Sequence, residues 1–133
     1  MSITSPYRTS TDLITLVLQR AGLLSIGNAP DVEDVTNVRN QLDSIIRKLG
    51  GLEIVYVADP DNIPGAWFSD LADIVAGECG TSLGIVGEEL MTLVNKGLGG
   101  AGPVDIGAGT AAKSLKIITR GRPTYETQRI MNY

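Results

Sequence analysis

Apolar residues recur along this chain at helical spacing in four places, and the longest such pattern lies in the middle. From Pro64 to Gly84 (PGAWFSDLADIVAGECGTSLG), Phe68, Leu71, Ala72, Val75, Ala76, Cys79 and Leu83 fall on one helical stripe. Asp70, Asp73, Glu78 and Thr81 fall mostly opposite. Ala72, Ala76, Gly80 and Gly84 recur every fourth position along one edge, where a neighbouring backbone can approach more closely than leucines would permit. Each interior glycine costs a helix roughly 0.5–1 kcal/mol relative to alanine, so tertiary contacts must hold this segment. The pattern predicts the central helix of a small bundle.

Ser10 or Thr11 is placed to cap a first helix through Ala21, with Gly22 as its stop. Leu13, Ile14, Val17, Leu18 and Ala21 share its broad apolar face. Leu16 lies on the other side, either facing a partner or standing as an isolated exposed leucine. Asp31 can cap a second helix in which Val35, Val38, Leu42, Ile45 and Leu49 form a 3-4-3-4 seam, ended by Gly50-Gly51. Acids at its start and Arg47 and Lys48 at its end complement the helix dipole.

Glu53–Ala58 (EIVYVA) is β-branched and aromatic, and Asp59-Pro60-Asp61-Asn62 after it has turn composition. That predicts a short strand, which must pair either with Leu115–Thr119 (LKIIT) or with a neighbouring subunit. Its Val55, Tyr56 and Val57 are then candidates for an interface, together with Leu16. Gly87–Gly97 reads as a short fourth helix with Leu90, Leu93 and Val94 inward. Gly97–Gly109 (GLGGAGPVDIGAG) reads as a flexible linker. The expected fold is therefore mainly α: a bundle of about four helices over residues 1–99, with a short extended segment, then a linker and an extended C-terminal arm over 100–133.

Composition removes much of enzymology. The 133 residues include no histidine and one cysteine, so zinc sites built on His or several Cys, disulfides and Ser-His or Cys-His dyads are excluded. Cys79 sits on the apolar stripe, where a free cysteine behaves as a small hydrophobe. Gly97-Leu98-Gly99-Gly100-Ala101-Gly102 matches G-x-G-x-x-G, but it follows a helix and leads into more glycine, so a dinucleotide site is not expected. Asp70 and Asp73 read as a solvated face rather than an acid–base pair, and Asp59 and Asp61 lack the rest of a calcium loop. A helix-turn-helix is disfavoured by the long first connection and the acidic start of the second helix. Neither an enzyme, a cofactor nor a metal is expected.

Charge is divided along the chain. Residues 1–100 hold 6 Lys/Arg against 13 Asp/Glu, net −7, whereas residues 101–133 hold 5 against 2, net +3. An acidic body carrying a basic tail argues against sequence-reading DNA binding and points the tail toward an acidic groove or, failing that, phosphates. Arg120, Arg122, Tyr125, Arg129, Ile130 and Tyr133 are of the types that anchor interfaces, which predicts a docking arm rather than a solvating tail. The polar start MSITSPYRTSTD lacks the order of a signal peptide, and no apolar run is long enough to span a bilayer. A cytosol-like site of synthesis is expected.

One ordering of residues resembles a known family. Thr11-Asp12-Leu13 with Leu16 and Arg20-Ala21-Gly22, an acid-capped second helix, an extended excursion, then Ile63-Pro64-Gly65-Ala66 opening a small-residue helix, resembles phage head-to-tail adaptor proteins. The likeness is to the tail accessory factors, or packaged-DNA stabilisation proteins, of short-tailed phages and covers roughly residues 11–99. It implies a virion protein that assembles as a dodecameric ring beneath the portal protein, helps retain the genome and presents a platform to tail or nozzle proteins. The resemblance would make Arg120–Tyr133 the arm that reaches the portal, and would place Glu53–Asn62 at a ring or tail-facing surface. The competing reading is a helical interaction or scaffolding module unrelated to virions.

Overall fold

The computed structural model describes residues 7–120, in the order β1 (Tyr7–Arg8), α1 (Ser10–Arg20), α2 (Val32–Gly51), β2 (Ile63–Pro64), α3 (Gly65–Cys79), α4 (Gly87–Lys96) and α5 (Thr110–Arg120). The described residues form a small, mainly helical bundle in which α3 touches every other helix. β1 and β2 form a two-residue antiparallel ladder, with Tyr7 opposite Pro64 and Arg8 opposite Ile63.

The caps explain where the first two helices begin. Thr9, one residue before the expected position, accepts from the Asp12 N–H at 3.2 Å, and the Asp12 carboxylate accepts from the Thr9 N–H. Ser10 is instead the first residue of the helix, its hydroxyl donating to Asp61 at 2.6 Å and accepting from Arg39 at 3.3 Å. Asp31 caps α2 by accepting from Glu33 N–H at 2.9 Å. The expected seam is the buried face of α2, with Val38, Leu42, Ile45 and Leu49 joined by Ile46, and Val35 at its edge. α1 buries Leu13, Ile14, Val17 and Leu18, while Leu16 is half-buried against the core and so is not an isolated exposed leucine.

α2 ends at Gly51, at the expected glycine pair, but neither glycine is the left-handed residue that closes it. That residue is Glu53, at φ +58°: its N–H donates to Gly50 O and the next N–H, of Ile54, to Leu49 O, both at 3.0 Å. This pattern closes a helix through one left-handed residue. It also removes the expected strand, since Glu53–Ala58 turns sharply and buries the adjacent Ile54 and Val55 together instead of alternating them. Asp59–Asn62 does form the expected turn, with Asp59 accepting from the N–H groups of Asp61 and Asn62.

α3 is buried almost all round, through Leu71, Ala72, Ile74, Val75, Ala76, Gly77 and Cys79. It ends at Cys79 rather than Gly84. Gly84 does not serve close packing: at φ +87° it closes a turn in which Ile85 N–H donates to Gly80 O at 2.9 Å. The close approaches are at Gly77 and Gly80. A Cβ on Gly77 would lie 2.9 Å from Leu93 O and 3.0 Å from Val94 Cα of α4, and Gly80 is covered by the Leu90 side chain. α4 leans on this surface with Leu90, Leu93 and Val94, none of them fully buried.

The stretch Gly97–Gly109 is a packed loop, not a flexible linker. Leu98 is buried, Gly99 N–H donates to Val94 O at 2.7 Å, and Gly107 N–H donates to Leu98 O at 2.8 Å. Its glycines admit backbone: a Cβ on Gly97 would lie 2.6 Å from Asp73 O and 2.8 Å from Ile74 Cα. The loop delivers Leu115–Thr119 as part of α5, not as a strand, and Ala111, Ala112 and Leu115 pack into the shared core. A division after residue 99 is therefore corrected, because residues 100–120 complete the bundle.

Two glycines separate the alternatives. Gly97→Ala forces α3 and its neighbour apart and is expected to cost about 1–3 kcal/mol. Gly51→Ala, helical and with open space at its Cβ position, is expected to gain roughly 0.5–1 kcal/mol. Urea unfolding of both variants checks the pair; equal effects would show that the loop is not held by close packing.

Candidate interaction surface

The candidate residues drawn from two distant stretches converge where α2 and α5 end. The segment after α2 crosses the bundle end, and the Arg120 guanidinium at the end of α5 donates to the Glu53 carbonyl. Between them stands Tyr56, 69% exposed, its ring lying over Gly50, where a Cβ would sit 3.4 Å from the ring edge. An aromatic residue held out of the core against a glycine supplies exposed apolar area with few rotamers to freeze, which suits an interface anchor.

A groove lies on each side of Tyr56. One, of about 560 Å³, is mostly apolar and runs between Ile46 and Gly50 of α2 and Val57. The other, of about 350 Å³, lies between Glu53, Trp67 and Arg120. Of the residues expected at an interface, Tyr56 and Arg120 meet here and Val57, half-buried, lines the first groove. Val55 is 3% exposed and belongs to the core, because capping α2 turns it inward with Ile54. Leu16 lines neither groove. Arg122, Tyr125, Arg129, Ile130 and Tyr133 lie outside the described residues. Sequence reasoning missed Trp67 and Gly50; the signal was the pairing of Gly50 with an aromatic six residues on, beyond a helix stop.

The candidate chemical groups are spent on structure. Asp73 pairs with Arg20 at 2.7 Å, and Arg20 also donates to Ser69 at 2.9 Å, so α1 is tied to α3. Asp70 accepts from the Ser114 hydroxyl at 2.7 Å, tying α5 to α3. These carboxylates were expected on a solvated face; Asp73 is instead only 11% exposed at its side chain, because α1 packs across it. Lys48 and Glu78 join α2 to α3 at 2.7 Å. Burial, with a smaller push from Glu78, raises the Cys79 thiol to about 11, so it stays protonated at neutral pH and packs as a hydrophobe. Among the described residues no group of three or more His, Cys, Asp or Glu is placed to hold a metal.

The surroundings clearly move the titration of Asp61. Accepting from the Ser10 hydroxyl at 2.6 Å and the Ser10 N–H at 3.1 Å holds its pKa below the ordinary 3.8, with Arg39 adding a smaller charge effect. A depressed carboxylate stabilises the fold fully above its unfolded value, and that contribution fades as pH falls through the folded one. Wild type is thus expected to lose stability as pH drops below 3.8, while Asp61→Asn has a shallower acid-side decline and meets wild type at the lowest pH. Urea midpoints measured across the acid range check this; parallel curves would remove Asp61 from the account.

No family model, curated protein or solved structure matches this chain.

Proposed function

We propose that this chain is a structural head-to-tail adaptor of a phage virion, made in the host cytoplasm and placed at the head–tail junction. In this reading it forms a ring, dodecameric as in the adaptors it resembles, below the portal protein, helps retain packaged DNA and offers a platform to tail or nozzle proteins. The single observation that carries the reading is the root of the C-terminal arm. α5 delivers the chain at Arg120, bonded to the Glu53 carbonyl and beside the exposed Tyr56. The basic, tyrosine-bearing residues 121–133 thus start from a surface already suited to contact.

Charge agrees with this role. A ring of bodies carrying net −7 over residues 1–100 lets a duplex slide without sticking, whereas a lysine-lined channel would hold phosphates. The positive tail suits an acidic face of the portal. Genomic DNA then passes through without sequence-specific contact, and neither a cofactor nor a membrane enters the mechanism.

The test mixes the full chain, a 1–120 truncation and Tyr56→Ala with the cognate portal ring and measures retention by sedimentation. The full chain is expected to bind, and removal of 121–133 to weaken binding at least tenfold. Tyr56→Ala should keep its unfolding midpoint, since the ring is mostly exposed. Undiminished binding by the truncation would remove the arm, and no binding by the full chain would remove the adaptor reading.

A further inference from the structure

The outer face of α5 is apolar and basic, and nothing within the described residues covers it. Ala111, Ala112 and Leu115 face the core, which leaves Lys113 and Ile117, one turn apart, on the opposite side with Arg120. Ile117 is 58% exposed. The Lys113 ammonium takes part in no hydrogen bond or ion pair among the described residues, and Arg120 pairs with no carboxylate there, its guanidinium donating to the Glu53 carbonyl. An exposed isoleucine one turn from a lysine whose ammonium is unpartnered is the composition of a docking face for an acidic, partly apolar groove.

The same molecule carries such a groove. Between the end of α1 and the first turns of α4 lies a cleft of about 400 Å³ whose apolar parts are Ala21 and Leu93 and whose charged walls are Glu88 and Glu89. Neither glutamate forms an ion pair among the described residues. The Arg20 guanidinium, also at this cleft, is already neutralised by Asp73. The negative end of the α1 dipole and the positive end of the α4 dipole both lie at this cleft, so its preference for cations rests on the two glutamates.

We infer that the α5 face of one copy docks in the α1–α4 cleft of the next, with Ile117 over Ala21 and Leu93 and Lys113 toward Glu88 and Glu89. The two surfaces are different patches of one chain, so the contact is head-to-tail and propagates into a closed ring or an open filament. This deepens the ring element of the adaptor reading, and its test contains no portal, so either can fail without the other.

Sedimentation velocity of the full chain over a concentration series at low ionic strength reads the contact. Wild type is expected to self-associate, and more weakly as salt rises. Lys113→Glu and, separately, Ile117→Ser should each weaken association about tenfold at unchanged circular dichroism, both side chains being exposed. Adding Glu88→Lys and Glu89→Lys to Lys113→Glu should restore it. The inference is overturned by a wild type that stays monomeric throughout, by Lys113→Glu associating as wild type does, or by failure of the reversed charges to restore association. It is overturned as well if removing residues 121–133, and not Lys113→Glu, abolishes association, which would make the arm the occupant.

Discussion

The fold depends on how closely other backbones can come to α3. A helix buried on nearly every side cannot separate itself from its neighbours by full-sized side chains everywhere, since ordinary helix pairs stand about 8–10 Å apart. Here the approach is made reciprocal. Gly77 of α3 admits the backbone of α4 at Leu93 and Val94, and Gly97, just past α4, admits the backbone of α3 at Asp73 and Ile74. The loop from Gly97 to Gly109 then stays close enough for Ala112 N–H to reach Gly97 O at 3.1 Å, which seats α5 against α3. Glycine's cost in helix propensity is offset by apolar contact along Leu71, Ile74 and Val75, all fully buried.

Around that apolar centre, the polar residues of α3 act as ties. Asp73 holds α1 through Arg20, Asp70 holds α5 through Ser114, and Glu78 holds α2 through Lys48. Ser82, just beyond α3, accepts from Gln41 at 2.6 Å and its carbonyl accepts from Asn37 at 3.0 Å. Partly buried pairs of this kind contribute modestly to stability but fix which helix sits where. The carboxylates that might have suggested chemistry are consumed in this way. What is left unspent lies outside: Tyr56 with its two grooves, and the Lys113 ammonium of α5, which has no partner among the described residues.

Much of this was legible in the order of residues. The cap at Asp31, the seam from Val38 to Leu49, the turn at Asp59–Asn62 and the central position of α3 follow from spacing, because helix and turn hydrogen bonds join residues three or four apart. Cys79 was readable as a core residue for the same reason, lying on the most apolar stripe. Only the tertiary structure decided the fate of EIVYVA and LKIIT. A strand needs a remote partner, and here the first segment closes α2 through Glu53 while the second continues the Ala-rich start of α5. The glycines were ambiguous on their face: the same run of Gly97 to Gly109 spells a flexible coil or a tight backbone contact, and the difference lies in whether another backbone stands beside it. Charge signs along the chain were plain from the start, but which carboxylates are tied down and which cations stand free depends on distances between helices that no local pattern encodes.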